Sequence, residues 1–140
     1  MHNMNQGPLK KNRIVRTTVG ICINLIIAAI HVFRLGSYLN GDLYILYYSY
    51  ASDILVPIGF YFLLCLNDVQ IRFFKKWYVK ALIVFLLAAF TEIMQAFGIY
   101  MLGETFDVMD ILMFGIGVSV AAILDVQVFE KVIPGYKITE

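Results

Sequence analysis

The sequence predicts an all-α integral membrane protein, a single domain built as a bundle of four transmembrane helices. Of its 140 residues, 61% are hydrophobic and only 15% are charged, and the mean hydropathy is +0.79. A soluble domain of this size could not cover so much apolar surface. A helix needs roughly 20 apolar residues to cross a hydrocarbon core about 30 Å thick. Four stretches approach that length, at positions 14–33, 44–66, 77–97 and 108–129.

The first stretch is interpreted as a retained span. It follows a basic segment, as the apolar part of a signal peptide does, but no small-residue cleavage site comes before His31 and Arg34. All four stretches are predicted to be helical, because the backbone N–H and C=O groups of a segment in lipid must form hydrogen bonds within that segment.

The second stretch allows two interpretations. If its helix begins at Tyr44, Asp53 lies near the middle of the membrane. If the tyrosines at positions 44–50 instead mark the interface, Asp53 lies about one turn inside the outer boundary and the rest of the span, with Pro57, is short. The sequence favours the short span, because a charge near the centre costs at least about 2.5 kcal/mol.

Lysine and arginine predict the sidedness of the loops. Ten of the eleven are assigned to the amino-terminal tail and the start of the first span, to the middle loop and the start of the third span, or to the carboxyl tail. By the positive-inside rule both termini are cytoplasmic, and the loops 35–43 and 98–107 face outward. The ten are Lys10, Lys11, Arg13, Arg16, Arg72, Lys75, Lys76, Lys80, Lys131 and Lys137.

Composition and motifs exclude several classes of function. A net charge of +1 argues against nucleic acid as a partner. Cys22 and Cys65 lie in apolar runs, so they are expected to be small buried hydrophobes and not disulfide or zinc ligands. Since phosphate loops, zincin motifs and nucleophile elbows are also missing, the sequence predicts no cofactor and no metal site.

Polar residues cluster towards the predicted outer side. Glu92 and Gln95 are three positions apart and share one face of the third helix, and Asp107 and Asp110 have the same spacing at the start of the fourth. Ionisable groups in a membrane usually face the bundle interior. With Asp53, these residues therefore predict one outward-opening binding site, which Arg34 and His31 on the first helix would complete.

Most of these residues also have a structural interpretation. Asp107 suits an N-cap, and Asp110 suits a first turn, where it gains from the helix macrodipole. Gln95 can hydrogen-bond between helices. Arg34 can pair with a carboxylate of the site or extend to the outer headgroups, and the sequence favours the headgroups. His31 is interpreted as interfacial and not as a metal ligand.

Glu92 has the weakest structural interpretation, because a carboxylate among apolar residues must pair, hydrogen-bond or take up a proton. It is therefore a candidate catalytic residue, together with Asp110. Small residues four positions apart predict close helix packing in the fourth span. They are Gly115 with Ser119 and Gly117 with Ala121.

A pattern in the second half of the chain has a counterpart in a known family. It comprises Thr91-Glu92-Ile93-Met94-Gln95, Gly103, Phe106, Asp107, Asp110-Ile111-Leu112 and Gly117, with Asp53-Ile54-Leu55, Gly59 and Phe60 in the second span. These residues resemble the signature of VanZ-like bacterial multi-pass membrane proteins over about half of the chain. The chain departs from the family pattern at Glu104, Phe114 and Pro57, which indicates a divergent branch.

The resemblance implies a location in the bacterial cell membrane and an outward-facing polar cluster. One named member of that family is associated with low-level resistance to the glycopeptide teicoplanin, and most relatives have no assigned activity. An effect on the cell envelope or on glycopeptide susceptibility is therefore an expectation from the resemblance alone.

Three hypotheses for function follow. The favoured one is a non-enzymatic or accessory VanZ-like protein that alters the envelope by binding membrane lipids, a lipid-linked envelope precursor or another partner through the outer cluster. The second is an enzyme acting on a lipid-linked substrate at the outer leaflet, with Glu92 or Asp110 as acid or base and a divalent cation held by the acids. The third is a small proton-coupled transporter using Glu92, which with four helices would require a homo-oligomer.

Overall fold

The computed structural model describes residues 6–99 and 106–138, in which every regular element is helical. Four helices in this part of the chain are long and apolar enough to cross a membrane. The prediction of an all-α, multi-pass membrane bundle is confirmed. The helices are α1 (Gln6–Val32), α2 (Asp42–Cys65), α3 (Trp77–Ala96) and α4 (Val108–Ile123), and α4 continues through a π-helical segment, Leu124–Phe129, into α5 (Glu130–Val132).

The second span is one continuous helix. Helix α2 has 24 residues and continues through Pro57 to Cys65, which is long enough to cross a membrane. The position of the outer boundary along it, at the tyrosines, stays a prediction. Asp53 lies near the middle of this helix. The expectation considered only the cost of a charge in lipid, whereas in the fold the Asp53 side chain contacts Asp110 at the start of α4.

Helix α2 is the centre of the bundle and contacts the other three long helices. Its Tyr61 and Phe62 are completely buried and pack with Val84 of α3 and Ala121 of α4. Large apolar side chains on the outer faces of the helices are exposed, as expected for surfaces that meet lipid.

Close packing of α4 against α2 involves one of the two predicted pairs of small residues. A Cβ atom on Gly117 would collide with the carbonyl oxygen of Ile54, and Ala121 is completely buried. The prediction for this pair is confirmed. Gly115 and Ser119 lie on another face, where Ser119 is exposed and the nearest neighbour of a Cβ on Gly115 would be the Phe85 ring at 3.6 Å.

Candidate functional site

The bundle contains two polar clusters, one partly buried and one completely buried. One, here called the acidic cluster, contains Asp53, Glu92, Gln95, Asp107 and Asp110, and the sequence predicted it. The other, here called the charge network, contains Arg16, Asp68, Lys80 and Asp125 with Tyr61, Cys65 and Tyr136, and it was not predicted from the sequence.

Glu92 lies at the centre of the acidic cluster. Its side chain is on the last turns of α3 and the residue is only 4% exposed. One carboxylate oxygen accepts a hydrogen bond from Gln95 Nε2 at 3.1 Å, and the other accepts from the Asp107 backbone N–H at 3.5 Å. Glu92 therefore joins the end of α3 to the start of α4, and the spacing prediction for Glu92 and Gln95 holds.

The amide oxygen of Gln95 has no hydrogen-bond partner among the described residues. Gln95 is 5% exposed, and its nitrogen is committed to Glu92 on the same helix. The interhelical hydrogen bond, one of the two interpretations of Gln95, is therefore not formed within the described residues. A buried acceptor without a donor costs about 1–3 kcal/mol, which makes this oxygen a candidate ligand contact.

Asp107 and Asp110 occupy the first turn of α4 as the sequence predicts. Asp107 is the N-cap, and its carboxylate accepts from the Met109 N–H at 2.8 Å. Asp110 lies in the first helical turn and contacts Asp53 of α2. The three helices α2, α3 and α4 thus each supply carboxyl groups to one cluster.

The N-cap can be tested apart from any ligand. Replacing Asp107 by alanine is expected to lower the free energy of unfolding by about 1 kcal/mol, because the Met109 N–H loses its acceptor. Asp107→Asn keeps an acceptor oxygen and is expected to cost little. Reversible unfolding in mixed micelles measures both, and an equal loss in the two variants would show that the charge matters and not the cap.

Arg34 and His31 do not join the acidic cluster in the described structure. They line a separate small cavity between α1 and α2, with Tyr47, Tyr48 and Ser52. His31 is bonded to the Ile27 carbonyl and faces the Ser52 hydroxyl. The expectation that these two residues complete the site is therefore wrong. Glu104 and Gly103, in the loop between α3 and α4, lie outside the described residues.

An apolar groove adjoins the acidic cluster. Its volume is about 340 Å³ and it lies between α2, α3 and Phe114 of α4. Its residues occur one or two helical turns from the acids on the same three helices, as Pro57 follows Asp53 by four positions and Ala88 precedes Glu92 by four. The lining side chains are Val56, Pro57, Phe60, Val84, Leu87, Ala88, Phe90, Thr91 and Phe114.

The charge network connects the opposite ends of the same helices. Asp125 lies in the π-helical segment and is 1% exposed. It pairs with Arg16 of α1 at 3.0 Å and with Lys80 of α3 at 2.9 Å. Asp68, in the turn after α2, pairs with the same two cations. Two buried positive charges thus face two buried negative charges.

Hydrogen bonds complete the network and attach the C-terminal segment to it. The hydroxyls of Tyr61 and Tyr136 donate to Asp125 at 2.8 and 2.7 Å. Arg16 donates to the carbonyl of Tyr136 at 3.0 Å and stacks over its ring. Burial and the nearby Asp125 carboxylate raise the pKa of the Tyr136 phenol, which keeps it a hydrogen-bond donor.

The structure corrects the placement of Arg16, Lys80 and Cys22. Arg16 and Lys80 were placed with the basic tail and loop, but both are buried inside helices because Asp68 and Asp125 compensate their charge. Cys65 is buried as predicted and accepts from Lys80 at 3.1 Å. Cys22 is exposed on α1, so its assignment as a buried residue is wrong.

The chemistry available in the acidic cluster is binding of a positive or hydrogen-bond-donating group. Among the described residues, no three His, Cys, Asp or Glu side chains are grouped so as to hold a metal ion. Comparison with protein-family models, curated proteins and solved structures finds no match for this chain.

Proposed function

We propose that the chain is a divergent VanZ-like protein of the bacterial cell membrane that binds an envelope lipid or a lipid-linked envelope precursor without catalysing a reaction on it. The acidic cluster would hold the headgroup and the apolar groove an acyl chain. The observation that carries the proposal is this arrangement, in which a partly buried polar site and an apolar groove lie on the same three helices, one or two helical turns apart. An amphipathic cavity of this kind matches an amphipathic ligand.

The groove is accessible to lipid. Phe60, Leu87 and Phe90 line it, and each of the three is about half exposed on the surface of the bundle. Thr91 is the polar exception in the lining, but its hydroxyl donates to the Ala88 carbonyl at 2.7 Å. An acyl chain could therefore enter from the hydrocarbon and replace apolar contacts with lipid by apolar contacts with protein.

Basic residues support a cytoplasmic location for both termini in this proposal. Even with Arg16 and Lys80 neutralised inside the bundle, the end that contains the charge network keeps the other basic residues of the tails and the middle loop. By the positive-inside rule that end faces the cytoplasm and the acidic cluster faces outward.

Filling the groove tests the proposal. Ala88→Phe places a large ring in the groove and leaves every acid unchanged, whereas Ala89→Phe alters the next residue, which does not line it. We expect native mass spectrometry of the purified protein to show saturable lipid binding that falls at least about fivefold in Ala88→Phe but not in Ala89→Phe. Equal binding by both variants would overturn the groove as the lipid site.

The envelope effect has its own test. In a strain that depends on the gene, Ala88→Phe is expected to change glycopeptide susceptibility and the pool of lipid-linked precursors in the same direction as deletion of the gene. Ala89→Phe, produced at the same level, is expected to behave as the unaltered protein. A deletion with no effect on either measurement would contradict the envelope function.

A further inference from the structure

The donors described around the acidic cluster each make a hydrogen bond within the protein. Gln95 Nε2 and the Asp107 N–H both donate to Glu92, and the Thr91 hydroxyl donates to a backbone carbonyl. A ligand that mainly accepts hydrogen bonds, such as a phosphate or a sugar oxygen, would find negative charge and few free donors here. The cluster therefore disfavours an anionic group.

Acceptors remain unsatisfied in the same place. The Gln95 amide oxygen is buried without a partner among the described residues. Pro57 has no N–H, so the carbonyl oxygen of Asp53 receives no α-helical hydrogen bond from that position. The carboxyl groups of Asp53 and Asp110 contact each other, and within the described ranges their close charged neighbours are acidic.

The four ion pairs that the structure describes all belong to the charge network, so none neutralises the acidic cluster. Carboxylates in a membrane are stabilised by a cation or a proton. An ammonium group supplies one positive charge and up to three N–H donors, which suits one amide oxygen beside several carboxyl oxygens. A trimethylammonium group carries the same charge but has no N–H group that could donate a hydrogen bond to the Gln95 oxygen.

We infer that the headgroup held by the acidic cluster carries a primary ammonium group, so that the ligand is an amine-bearing lipid whose acyl chain lies in the adjoining groove. The inference rests on the proposed function, because the groove supplies the lipid part of the ligand. The ammonium would donate to Gln95 Oε1 and pair with Glu92. Asp53 and Asp110 would supply the remaining negative charge.

Three lipids with identical acyl chains test the inference: phosphatidylethanolamine, phosphatidylcholine and phosphatidylglycerol. Their affinities for the purified full chain are measured by native mass spectrometry in one detergent. We expect phosphatidylethanolamine, the lipid with the primary amine, to bind at least about tenfold more tightly than the other two. This is the gain in affinity that one charge-assisted hydrogen bond provides. Phosphoethanolamine without acyl chains is expected to bind much more weakly.

Two variants locate the effect. Gln95→Leu removes the unpaired oxygen and Glu92→Gln removes the charge, and each is expected to reduce the preference for the amine lipid to about threefold or less. Two variants are used because either one alone could disturb the junction of α3 and α4. A preference that survives both would overturn the inference.

The outcomes separate the inference from the proposed function. If the three lipids bind equally well and Ala88→Phe abolishes binding of all three, the groove binds lipid and the ammonium inference is wrong. If none of the lipids shows saturable binding, both the inference and the proposed function are contradicted.

Discussion

Replacing Asp125 by asparagine is expected to lower the free energy of unfolding by about 3–5 kcal/mol. Asp125 accepts from Arg16, Lys80 and two tyrosine hydroxyls, all within 3.0 Å. The variant keeps the size of the side chain but leaves one buried positive charge without a counter-charge. It also turns an amide nitrogen, which is a donor, towards groups that already donate.

Reversible unfolding in mixed micelles measures this loss, with Glu130→Gln as the control. Glu130 is the fifth residue after Asp125, is half-exposed and has no described ion pair, so its replacement is expected to change stability by less than about 0.5 kcal/mol.

A charge-balanced double variant shows whether net charge is the cause. Lys80→Met removes one cation from the network, and together with Asp125→Asn it restores neutrality. Because the two residues form an ion pair at 2.9 Å, we expect the double variant to lose clearly less stability than the sum of the single variants. If the stability loss of the double variant equals the sum of the two single losses, the electrostatic origin of the Asp125→Asn effect is contradicted.

The fold was predictable from the sequence because the requirement for a membrane span is local. A helix in lipid must satisfy its own backbone over a length fixed by the bilayer, so counting apolar residues identified all four helices. The direct contact between Asp53 and Asp110 was not predictable in this way. It depends on how α2 packs against α4, and the two residues are 57 positions apart in the sequence.

The acidic cluster was largely predictable, because helical spacing places Glu92 with Gln95 and Asp107 with Asp110. The wrong assignment of Arg34 and His31 has a physical reason. Their position depends on the rotation of α1 against α2, which Gly20, Gly59 and the Asn24 amide determine through close contacts. Spacing within one helix carries no information about that rotation.

The charge network was missed although a signal was present. Its four charged residues come from four separate segments, and Arg16 and Lys80 each had an ordinary explanation as cytoplasmic basic residues. Asp125, however, lies in the fourth apolar run between Leu124 and Val126. The criterion that identified Glu92, an isolated carboxylate in an apolar span, applies equally to Asp125.

Replacing Gly117 by alanine is expected to destabilise the protein by about 1–3 kcal/mol. The added methyl group would meet the carbonyl carbon and Cα of Ile54 at 3.1 Å and would collide with its carbonyl oxygen. Backbone atoms cannot rotate away as a side chain can, so α2 and α4 must separate. Gly115→Ala is a matched control two residues earlier, where the new atom would be in ordinary contact with Phe85 at 3.6 Å.

The two alanine variants also test how helix packing supports the acidic cluster. Because Ile54 follows Asp53 in α2, a shift of α2 away from Gly117 also increases the distance between the Asp53 and Asp110 side chains. We expect Gly117→Ala to weaken lipid binding as well as stability, while Gly115→Ala keeps both or gains up to about 1 kcal/mol of stability from helix propensity. If the two variants had equal stabilities and affinities, the contact between α2 and α4 would not position the site.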